Sequence, residues 1–143
     1  MAQKYKTILL VDDDPDDQML FKEALEDVGS TILYLTACNG IDALDKLNTA
    51  FSVLPDLVFM DVNMPKMNGI DCLKKMQQSA VLKDIPVVMY STSCPPAFQK
   101  ECFDNGAAHY MEKPSDFVAL CGALERIMTQ GIPHLNTICN STL

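Results

Sequence analysis

Four short segments of this 143-residue chain carry side chains that could do chemistry together. An acidic run holds Asp12, Asp13 and Asp14, with Asp16 and Asp17 close behind, and Asp61 ends a separate apolar run. Ser91 ends another apolar run, and Lys113 stands just before Pro114. If Asp12, Asp13 and Asp61 meet in one pocket, three carboxylates there are costly unless a cation neutralises them. Oxygen-only ligands suit Mg²⁺, and no His or Cys is placed to suggest zinc. With an inward lysine and hydroxyl, such a pocket can hold a phosphoryl group. Metal and ammonium would neutralise its equatorial oxygens, the hydroxyl would donate to one, and a carboxylate would attack in line. Aspartyl phosphate is an established form of nucleophilic catalysis.

The elements that must bring these groups together alternate regularly. Strand-like runs are predicted at 7–12, 31–37, 56–61, 86–91 and 108–111, and helical patterns at 15–28, 40–50, 69–79, 97–106 and 115–130. The first helix repeats Met19, Leu20, Leu25 and Val28 at helical spacing. Asp14 can cap it, Pro15 suits its first position, and Gly29 can end it. Asn39-Gly40 and Asn68-Gly69 mark turns. The first and third strand runs are continuously apolar rather than alternating, as expected for strands covered on both faces. The expectation is therefore an α/β fold with a five-stranded parallel sheet, doubly wound in the flavodoxin-like manner. Right-handed crossovers place every strand's C-terminal end on one edge, where ligands bind in such sheets. Asp12, Asp13, Asp61, Ser91 and Lys113 all fall on that edge.

Length suits one domain, read as 5–130 with a short C-terminal extension at 131–143. Hydrophobic residues at 48% are ample for its core. Net charge of −8 argues against nucleic-acid binding, which needs a basic patch. No run approaches a membrane span and residues 1–6 hold no signal-peptide core, so no membrane role and a cytoplasmic location are expected. The six cysteines form no C-x-x-C pair, and most lie in apolar stretches as small buried hydrophobes. Cys139, in the tail, is the one expected to be reactive.

ILLVDDDPDD, LVFMDVNMPKMNGID, PVVMYSTS and HYMEKP, in that order, resemble the four site segments of the CheY-like receiver domains of two-component response regulators. The intervals from Asp61 to Ser91 and to Lys113 are family-like as well. The resemblance implies that Asp12 and Asp13 are the acidic pair for Mg²⁺, Asp13 directly and Asp12 mainly through water. It implies that Asp61 is the phospho-acceptor and a metal ligand, and that Asn63 offers its backbone carbonyl to the ion. Ser91 matches the switch hydroxyl, Lys113 the phosphate-pairing lysine and Tyr110 the switch aromatic, expected to move inward on phosphorylation. The Lys113–Pro114 bond is expected to be cis. Thr92 departs from the small residue common at its position and is expected to narrow access to the phosphoryl site.

On this reading a histidine kinase or histidine phosphotransfer protein phosphorylates Asp61, and a downstream protein reads the change. The chain would be a monomer or weak dimer through the face of helix 4, strand 5 and helix 5. No output domain is expected, nor turnover of any external substrate beyond its own phosphorylation and slow dephosphorylation. Each residue alone has a plainer reading: a solvated acidic turn, a satisfied hydroxyl, a solvated lysine, a core tyrosine. Met64, Met67 and Met76 read as packing, and His109 and His134 as surface residues. One rival is a pseudo-receiver that binds partners without phosphorylation. Another is a haloacid-dehalogenase-type hydrolase, disfavoured because Asn63 stands where its second aspartate would be.

Overall fold

Residues 4–29, 31–93 and 95–132 are described by a computed structural model. Five strands form one all-parallel sheet: β1 (Thr7–Val11), β2 (Leu33–Ala37), β3 (Leu57–Asp61), β4 (Val87–Ser91) and β5 (His109–Glu112), in the spatial order β2-β1-β3-β4-β5. Helices α1 (Pro15–Val28), α2 (Gly40–Asp45), α3 (Gly69–Gln77), α4 (Pro96–Asp104) and α5 (Phe117–Gln130) follow the strands in turn. The expected doubly wound architecture is the one found.

Successive side chains of a strand leave on opposite faces, so strands buried on both faces need apolar residues at every position. Leu9, Val11, Val58, Met60, Val87, Met89 and Tyr110 pack in one layer with residues of α2, α3 and α4, among them Ala43, Leu73, Met76 and Cys102. Ile8, Leu10, Leu57, Phe59, Val88, Tyr90 and Met111 pack in the other with Phe21, Ala24 and Leu25 of α1 and Leu120, Leu124 and Ile127 of α5. Each such side chain contributes roughly 1.5–3 kcal/mol of burial. This alternation continues past the apolar runs and decides which side of the sheet each polar residue at the edge serves.

Four helices start on a side-chain cap. Asp14 accepts from the Asp16 amide at 2.9 Å, Asn39 from Asp42 at 2.9 Å, Asn68 from Asp71 at 2.9 Å and Asp116 from Ala119 at 2.8 Å. Each bond satisfies an amide that the helix leaves without a partner.

Several local expectations need correction. On α1 the buried face is Phe21, Ala24 and Leu25, while Met19 and Leu20 are exposed at 64% and 46%. The true stripe follows i, i+3, i+4, and Met19 and Leu20 fall outside it. The helix expected over 40–50 is a short α-helix followed by a π-helical turn, Lys46–Ala50. His109 is buried rather than on the surface, because it opens β5 inside a covered sheet. The Lys113–Pro114 bond is trans, the isomer that X–Pro amides favour by about 0.5–1 kcal/mol. Cys72 and Cys102 are buried, Cys121 is partly so and Cys38 is exposed. Met76 lies in the core with Met64 and Met67 packed against it. His134, Cys139 and most of the 131–143 extension lie outside the described residues, as does Cys94.

Candidate functional site

Strand alternation places the polar residues before any contact is measured. Ile8 and Leu10 face α1 and α5, and so does the next residue in that phase, Asp12. Leu57 and Phe59 put Asp61 on the same face, and Met111 does so for Lys113. Val87 and Met89 face the other layer, so Ser91 leaves the sheet on the side of Tyr110. The sheet thus sorts its edge into a carboxylate–lysine side and a hydroxyl–tyrosine side.

The geometry agrees. One carboxylate oxygen from each of Asp12, Asp13 and Asp61 lies within 4.8 Å of the others. Lys113 Nζ donates to Asp12 Oδ2 and to Asp17 Oδ2, each at 3.0 Å, and stands 3.6 Å from Asp61 Oδ2. It also lies 5.2 Å from the centroid of the Tyr90 ring, a cation–π contact. The Lys113 main-chain amide donates to the Ser91 carbonyl at 2.7 Å, which ties the lysine to the end of β4. Asp12 Oδ1 accepts from the Asp14 amide at 3.0 Å, and Asp61 Oδ1 from the Asn63 amide at 3.3 Å. An open cleft of about 440 Å³ is lined by Asp12, Asp13, Asp61, Asn63, Thr92 and Lys113, with Asp14, Pro15 and Asp17 at the α1 side.

Burial sets the electrostatics. It pushes the Asp61 carboxyl up to about 6; Lys113 and the Asn63 amide oppose this, and Asp12 and Asp13 add to it. Asp12 is raised by burial too, against the Asp14 amide and Lys113. Burial alone would lower Lys113, but its bonds to Asp17 and Asp12 and the charges of Asp12 and Asp61 raise it, so it stays an ammonium. Two buried carboxylates that resist ionisation beside an exposed third fit a hard divalent cation, which reverses that penalty. Both Asp12 oxygens already hold hydrogen bonds, whereas Asp13 is exposed at the cleft.

Ser91 is buried and is not among the residues lining the cleft; its Oγ accepts from the Ser93 amide at 3.3 Å. Tyr110 is fully buried, its hydroxyl donates to the Ser93 carbonyl at 2.8 Å, and its ring meets Phe98 edge-on at 6.5 Å. The Tyr110 side chain is thus packed inside the fold in this structure. A buried phenol needs a partner, and the Ser93 carbonyl supplies one.

Two further residues shape the site. Asp17, in the first turn of α1, shares the lysine with Asp12. Gly69 opens α3 against the main chain of Asp61, and a β-carbon there would overlap the Asp61 carbonyl. Its amide donates to Val62 O at 2.9 Å. The glycine was legible as a turn residue; the Asp17 contact joins residues too far apart in sequence for any local signal.

The chain matches the family described as "Response regulator receiver domain" over residues 8–125. It is 34% identical over 117 residues to the two-component response regulator ORR3 of Oryza sativa, covering 80% of this chain and 86% of that protein. It is 36% identical over 121 residues to the transcriptional regulatory protein CpxR of Escherichia coli, covering 85% of this chain but only 48% of CpxR, so it spans about half of that longer regulator. Among solved structures, the phosphorylated cyanobacterial phytochrome response regulator RcpA superposes with a TM-score of 0.79 at 30% identity, over 86% of this chain and 91% of that one. The Mn²⁺-bound form of response regulator Rcp1 gives 0.76 at 28% identity, over 85% and 91%. No helix among the described residues is long and apolar enough to cross a membrane. With a matching fold, an acidic cluster at the carboxyl edge of the sheet and a lysine across from it, this chain belongs to the receiver-domain family of two-component response regulators.

Proposed function

We propose that this receiver is a Mg²⁺-dependent phospho-acceptor switch in which Asp61 takes a phosphoryl group from a histidine kinase or histidine phosphotransfer protein. The observation that carries this is the placement of Asp61: its carboxylate ends β3 beside those of Asp12 and Asp13, with Lys113 Nζ at 3.6 Å. A charged carboxylate at the end of an apolar strand costs stability, and the surrounding donor set gives that cost a use.

An Asp61 oxygen attacks the phosphorus of a phosphohistidine; the P–N bond breaks and its electron pair returns to the imidazole nitrogen. Asp13 and Asp61, with the Asn63 carbonyl and Asp12 through water, would hold Mg²⁺, which when bound neutralises phosphoryl oxygens. Lys113 supplies the opposing charge from the protein side. Ser91 leaves the Ser93 amide to donate to a phosphoryl oxygen. Tyr110 holds the Ser93 carbonyl, so this movement passes to the loop before α4 and to the α4–β5–α5 face, where a downstream protein or a second copy reads it. Thr92 at the cleft wall narrows access to the phosphoryl group and so alters the lifetime of the phosphorylated state.

The test is incubation with acetyl phosphate and Mg²⁺ followed by intact-mass measurement. Wild type should gain one phosphate, and neither Asp61→Ala nor chelator-treated wild type should. A protein that binds no Mg²⁺ and takes no phosphate is a constitutive binding module instead.

A further inference from the structure

Lys113 is shared unequally among its carboxylates. Nζ has three donors; it spends one on Asp12 and one on Asp17, both at 3.0 Å, and holds Asp61 less closely, at 3.6 Å. The two near partners differ in their alternatives. Asp12 is fully buried, so losing the lysine would leave its carboxylate with only the Asp14 amide to offset the charge. The Asp17 side chain is 36% exposed and sits in the first turn of α1, so water and the positive end of the helix can take over its solvation. The weakly held partner is therefore Asp17.

From this we infer that Asp17 is a positioning residue that competes with the phosphoryl group for Lys113. In the unmodified protein it draws Nζ toward α1, and a phosphoryl group on Asp61 recruits the lysine by displacing Asp17 while Asp12 stays bound. The inference rests on the phospho-acceptor reading of Asp61. Asp17 sets how readily the phosphorylated state forms, and its release frees the start of α1 as the lysine turns toward Asp61.

The test is titration of the full chain with beryllofluoride at saturating Mg²⁺, followed by calorimetry, for wild type, Asp17→Asn and Asp16→Asn. Asp16→Asn removes the same charge one residue away without touching the lysine. A partly exposed ion pair is worth little, so Asp17→Asn should bind about two- to fivefold more tightly than wild type, with Asp16→Asn close to wild type. A residue that merely supports the fold would weaken binding when lost. Equal effects of the two variants, or weaker binding by Asp17→Asn, overturn the inference while leaving the phospho-acceptor reading intact. No binding by wild type removes that reading, and the inference with it.

Discussion

Gly69 opens α3 directly against the main chain of Asp61, with no room between them for a β-carbon. The backbone that presents the Asp61 carboxylate is thus pinned from behind by the start of a helix, itself capped by Asn68. Glycine is required here by close approach, since Gly69 is not among the positive-φ glycines.

Gly69→Ala must push α3 or the end of β3 aside. The expected cost is about 1–3 kcal/mol of stability, as for overpacking elsewhere in cores. Because the displaced atoms belong to Asp61, Mg²⁺ affinity should fall as well. Chemical denaturation and metal titration of the same variant check both; an alanine variant with unchanged Mg²⁺ affinity would contradict the role given to this contact.

The acid chemistry of Asp61 gives a second test. Its carboxyl is raised to about 6 in the folded protein from an ordinary 3.8. Between those values the folded state keeps a proton that the unfolded chain has released. Stability is therefore fully present below about 4 and is lost as pH rises through about 6. In chelator, Asp61→Asn should overtake wild type in stability over this window, by on the order of 3 kcal/mol at pH 7. Saturating Mg²⁺ should close the gap. A gap that does not widen between pH 4 and pH 7 would show that Asp61 ionises freely.

Much of this site was legible in the sequence because strand alternation is rigid. Continuous apolar runs in β1 and β3 announced a sheet covered on both faces, and their terminal aspartates then had to share an edge. Packing details were less legible. Met19 and Leu20 look as apolar as Phe21, and only the phase of α1 against α5 decides which face inward. His109 reads as polar until β5 is known to be sandwiched between helices. The Asp17–Lys113 bond depends on the angle at which α1 leaves β1, which no local pattern records. The side on which Ser91 leaves the sheet follows from counting residues along β4, so its separation from the cleft was available in principle.

Tyr110 offers a test of coupling. Its hydroxyl holds the Ser93 carbonyl, and Ser93 in turn donates to Ser91. Tyr110→Phe keeps the ring against Phe98 and removes one part-buried hydrogen bond to a carbonyl of the exposed Ser93, which water can reach, at a cost of about 0.5–1.5 kcal/mol. The loop before α4 should loosen, seen as faster amide exchange around Thr92 and Ser93, while Mg²⁺ affinity stays unchanged. Unaltered exchange would remove Tyr110 from the path between the two sides of the sheet edge.

The central claim is that one carboxylate, Asp61, carries the phosphoryl group. Reducing the acetyl-phosphate-treated protein with borohydride converts an aspartyl phosphate to homoserine, which peptide mass mapping can place. The expected result is homoserine at position 61 alone, dependent on Mg²⁺ during the phosphorylation step. Homoserine at position 12 or 13 instead, or a phosphorylated protein with position 61 unaltered, would contradict it.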